Sequence, residues 1–135
     1  MGLDMYLYRR CKYREGDDEF NKLVEENKDE VKYWRKANQI RNWFVNNTDL
    51  NETDNCKHIV LTKETLEKLR DDCRYVLAHK DKASEIMPTS SGFFFGTTDY
   101  DDWYFMQLED TAKSIDLIIN ITNFDKEVIE YFEWW

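Results

Sequence analysis

The 135-residue chain predicts an α+β fold: three main helices packed on one face of a small antiparallel sheet that includes both terminal strands. Three observations carry this. Strand-like segments stand at the two ends: MYLYRR, which alternates, near the start, and EVIEYFEWW, rich in β-branched and aromatic residues, at the finish. Between them, apolar residues recur at every third or fourth position over two long stretches. With only four glycines and one proline, no linker divides the chain, so residues 1–135 read as a single domain.

Taken in order, Leu3, Met5 and Leu7 share one side of an extended segment and Tyr6 and Tyr8 the other, which gives a half-buried strand over 3–8. Residues 14–30 are acidic and polar around Phe20, Leu23 and Val24. They read as a surface excursion with a turn or two of helix. In EVKYWRKANQIRNWFVNN, Tyr33, Ala37, Ile40 and Phe44 follow helical spacing, while Val31 and Tyr33 alternatively close a short strand just ahead of the helix. KHIVLT is a short strand, and Thr62 is placed to cap the next helix. Leu66, Leu69, Cys73, Val76 and Leu77 form that helix's apolar stripe, and ASEIM adds a turn that must end before Pro88. The longest helix is expected over about Tyr100–Thr122, with Leu108, Ala112, Ile115, Ile118 and Ile119 on its core side. Asp99, Asp101 and Asp102 load its N-terminal end, where the helix dipole favours negative charge. The β-branched and aromatic residues of 127–134 make the closing strand.

Composition narrows the function classes. A charged fraction of 35% and a mean hydropathy of −0.80 accompany an aromatic fraction of 16%, too rich in rings for a disordered chain. No apolar run is long enough for a membrane span, and the N-terminus carries neither a secretory signal nor a myristoylation motif, so the expected location is the cytoplasm. Three cysteines at irregular spacing suit reduced thiols and no metal, with Cys73 buried. The net charge is −9, and its distribution is uneven. Residues 15–30 hold two basic and eight acidic side chains, and residues 91–135 hold two and ten. This argues against direct nucleic-acid binding, which needs a basic footprint, and permits an acidic surface that imitates nucleic acid toward a basic protein. His58 and His79 sit in no metal or nucleophile motif, and no glycine-rich phosphate loop exists, so no enzyme and no cofactor are expected.

Two segments rise above this background. YWRKANQIRNWF offers Arg35, Lys36, Asn38, Arg41 and Asn42 on a polar face flanked by Trp34 and Trp43. Guanidinium forks suit phosphate, and amides suit base or sugar edges. The plain alternative is a solvated face. PTSSGFFFGTTDY sets Phe93, Phe94 and Phe95 between Gly92 and Gly96. Neighbours alternate in an extended chain, so Phe94 entering the core would leave Phe93 or Phe95 to line a concavity. The plain alternative is a core strand closed by turns.

MGLDMYLYRR, YWRKANQIRNWFV and PTSSGFFFGTTDYDDWYF together resemble a family of small phage, prophage and bacterial proteins without an assigned activity. The resemblance implies phage or prophage origin, and with it the host cell's cytoplasm; small phage proteins are often non-enzymatic inhibitors or sequestering agents of host systems, and that company sets the expectation of a non-enzymatic protein that counters a host system. The expected site pairs the helix at 34–47 with the 88–100 loop, using Arg35, Lys36, Asn38, Arg41, Trp43, Phe93, Phe95 and Tyr100 to hold a nucleotide-like or other small anionic ligand. A basic host protein, such as a nuclease, is the alternative partner.

Overall fold

The computed structural model describes residues 2–92 and 95–135. Four strands, β1 (Asp4–Cys11), β2 (Asp29–Arg35), β3 (His58–Leu61) and β4 (Glu127–Trp134), form one antiparallel sheet in the order β2-β1-β4-β3. The two terminal strands are the central pair, in register from Asp4 opposite Trp134 to Cys11 opposite Glu127. The fold is α+β, as expected. Among the described residues it has five α-helices where three main ones were expected: α1 (Asp18–Glu26), α2 (Asn38–Asn47), α3 (Lys63–Ala78), α4 (Ala83–Ile86) and α5 (Asp102–Ile121). The acidic excursion is more ordered than its sequence suggests. Asp17 accepts from the Phe20 amide and opens the nine-residue α1.

Alternation along the strands sorts the two faces. Leu3, Met5, Leu7, Trp34, Ile129 and Tyr131 point inward and join Ile40, Phe44, Leu66, Leu69, Val76, Leu108, Ile115 and Ile118 in one apolar cluster under α2, α3 and α5. On the outer face, Tyr33, Tyr6, Phe132 and His58 stand opposite one another across all four strands, with successive ring centroids 5.2, 6.2 and 4.5 Å apart. At one end of that face Arg10 donates from Nε and Nη2 to Glu130 (3.2 and 3.0 Å) and lies over the Tyr13 ring.

The segment before α2 differs from the helix expected over 34–47. Trp34 and Arg35 belong to strand β2, and Tyr33 points outward. The physical reason is the free edge of β1, which takes Val31–Arg35 as a neighbour and so satisfies backbone groups on both strands. Lys36 then turns the corner with φ +55°, its amide donating to the Leu3 carbonyl at 2.7 Å, and α2 starts two residues later. The remaining elements lie where periodicity puts them. Thr62 caps α3 by accepting from the Thr65 amide, and Asp101 caps α5 by accepting from that of Tyr104. Among the described residues no helix is long and apolar enough to cross a membrane.

Candidate ligand-binding cleft

A cleft of about 340 Å³ opens where β2 turns into α2 and faces the N-terminal turns of α5. Arg35, Lys36 and Gln39 form one wall. Thr97, Asp99, Asp101, Trp103 and Gln107 form the other, and Gly96 and Tyr104 complete the lining. The lining is mainly apolar carbon, with charged groups at its edges.

Local chemistry keeps the walls in place. Gly96 has φ +91°, and a Cβ there would stand 3.0 Å from the Lys36 carbonyl oxygen, so only glycine lets the two segments approach this closely. Asn38 clamps the loop to α2. Its Nδ2 donates to the carbonyls of Phe95 (3.1 Å) and Thr97 (2.8 Å), and its Oδ1 accepts from the Ser90 amide (2.9 Å). Gln39 donates to Gln107 across the cleft at 2.7 Å. Beneath, the Tyr104 hydroxyl donates to the Met87 carbonyl at 2.6 Å, and burial pushes its phenol well above the ordinary value, so it stays a donor.

The structure separates the sequence-predicted residues into two groups. Arg35 and Lys36 are exposed in the cleft, and among the described residues neither has an ion-pair partner. The other described candidates serve the fold or lie off the cleft. Asn38 is buried in its clamp. Arg41, 3% exposed, donates to Glu133 and to the carbonyls of Asn51, Glu52 and Asp54. Trp43 is buried with Nε1 donating to Asp72. Asn42 holds the Pro88 carbonyl. Phe95 is also buried, edge-on to Trp135 at 5.3 Å and beside the Arg41 guanidinium. It packs as core instead of forming a wall. Tyr100 is exposed, but its hydroxyl accepts from the Thr89 amide, and it does not line the cleft. Phe93 and Phe94, and with them the expected alternation of the three rings, lie outside the described residues.

Sequence reasoning missed Gln39, Thr97, Asp99, Asp101, Trp103 and Gln107 as cleft residues. Trp103 had a signal. It falls off the core stripe of α5, and 52% of it is exposed.

Among the described residues, no group of three or more His, Cys, Asp or Glu side chains is placed to hold a metal ion. Comparisons with protein-family models, curated proteins and solved structures find no match.

Proposed function

We propose that the protein binds a nucleotide-like ligand without transforming it. The observation that carries this is the opposition of Arg35 and Lys36 on one wall to Asp99 and Asp101 on the other, with the exposed Trp103 ring beside them. A bare anion drawn to the cations would meet two carboxylates. A nucleotide resolves the conflict: its phosphate takes the guanidinium fork, its amino or hydroxyl donors take the carboxylates, and its base stacks on the indole. Sequestering such a ligand to counter a host system is the role that the phage resemblance supports.

A basic host protein as partner is the second reading, favoured by exposed Asp99, Asp101 and Asp102 at the head of α5. Much of the C-terminal acidity is already neutralised, which weakens it. Glu109, Asp110, Asp116, Glu127, Glu130 and Glu133 all form ion pairs within the chain.

Thermal shift against a panel of nucleotides and cyclic nucleotides tests the first reading. Ligand at a hundred times its Kd stabilises by about 2.7 kcal/mol, which is readily seen in a melt. At least one nucleotide should raise Tm for wild type, and Arg35→Ala or Trp103→Ala should abolish the rise. No shift at millimolar ligand, or variants that respond like wild type, would overturn it.

A further inference from the structure

The cleft continues past Trp103 into a second hollow, also of about 340 Å³. Arg35, Trp103 and Gln107 line both, so they form a waist between two lobes. The second lobe adds Tyr33, the inner Trp34, Met106 and Asp110. Its character differs from that of the first. Tyr33 and Met106 present broad apolar surface, 41% and 53% exposed. Asp110 already holds Lys32, so its charge is offset. The waist therefore carries one cation without an ion-pair partner among the described residues, Arg35, beside the Tyr33 hydroxyl and with apolar or aromatic surface on both sides. Each lobe falls at the low end of the ~300–1,000 Å³ typical of ligand pockets, room for one nucleoside-sized group.

We propose that the ligand class is a dinucleotide: two nucleosides joined through phosphate, one in each lobe, with the bridging phosphate on the Arg35 guanidinium. This rests on the nucleotide reading above and adds the second lobe to it. The first-lobe nucleoside stacks on one side of Trp103 and offers its donors to Asp99. The second lies against Tyr33 and Met106. A planar guanidinium at the midpoint can pair two phosphate oxygens at once, which a lysine there would not do. Linear, cyclic and pyrophosphate-linked dinucleotides share this chemistry, and the arms of the test separate them.

Isothermal titration of the full chain compares AMP and GMP with linear pApA and pGpG, cyclic di-AMP and cyclic di-GMP, and NAD+. At least one dinucleotide should bind about tenfold or more tighter than its mononucleotide, because the second group binds at high effective concentration. Met106→Glu should remove that advantage. Leu117→Glu, three turns further along α5 and 61% exposed, should preserve it. The linkage that binds tightest identifies the source. Equal affinity for mono- and dinucleotides, or a dinucleotide advantage that survives Met106→Glu, overturns the two-lobe proposal and leaves the nucleotide reading intact. Binding of none of these probes overturns both.

Discussion

Arg41 looks in the sequence like a phosphate fork, and the fold spends it elsewhere. Its Nε reaches both Glu133 oxygens at 3.0 and 3.2 Å, and its Nη2 reaches three loop carbonyls as well as Glu133 Oε2. Glu133 also accepts from the Tyr131 hydroxyl (2.7 Å) and Trp135 Nε1 (3.0 Å), so the buried carboxylate is fully partnered. Removing one member leaves an uncompensated buried charge, which costs ~3–5 kcal/mol. Arg41→Ala and Glu133→Ala should each lower stability by that much in urea denaturation, and a loss below about 1 kcal/mol would refute the structural role. Gly96→Ala, with φ +91° and a carbonyl 3.0 Å from the new Cβ, should cost more than about 1 kcal/mol and weaken ligand binding as the cleft wall shifts. Cys73 makes a third test. Burial pushes its thiol well above the ordinary value, while Cys11 and Cys56 are exposed. A thiol reagent should therefore titrate two cysteines in the folded protein and the third only after unfolding. Rapid reaction of all three would contradict the packing.

At the scale of elements, the two caps make a matched pair. Asp101→Ala and Thr62→Ala each remove a side chain that accepts from a first-turn amide, and each should cost about 1 kcal/mol. Only Asp101 lines the cleft, so only its loss should also change nucleotide affinity. Equal effects of the two on binding would detach the α5 head from the site. The elements legible in the sequence were those whose pattern is long and local. Leu66 to Val76 and Leu108 to Ile118 keep a helical period over several turns, and Leu3, Met5 and Leu7 keep a strand period. β2 was harder because Tyr33, Ala37, Ile40 and Phe44 mimic one helix face across a strand, a corner and a helix. What makes 31–35 a strand is the free edge of β1, a partner some thirty residues away in the chain. The site divided in the same way. Arg35 and Lys36 were visible as cations in an acidic chain. The duties of Asn38 and Arg41 are fixed by Phe95 and Glu133, contacts that no local pattern announces.

At the scale of the whole molecule, two of the surfaces on which the described residues present aromatic rings bear on the choice of site. One is the row Tyr33–Tyr6–Phe132–His58 on the outer face of the sheet, and the other is the cleft side of α5 with Trp103. Arg35 and Lys36, among the described residues, are cations without ion-pair partners that line the cleft. The row meets the second lobe of the cleft at Tyr33, and away from that end its nearby cations Arg10 and Lys28 are both committed to Glu130. This difference is why the cleft is the proposed nucleotide site and the sheet row is not. Amide chemical-shift mapping separates the two most directly. Nucleotide added to the 15N-labelled protein should perturb amides of Arg35–Gln39 and of the stretch from Gly96 to Gln107, and leave those of His58 and Phe132 unmoved. Perturbations centred on His58 and Phe132, or none at millimolar nucleotide, would contradict the account.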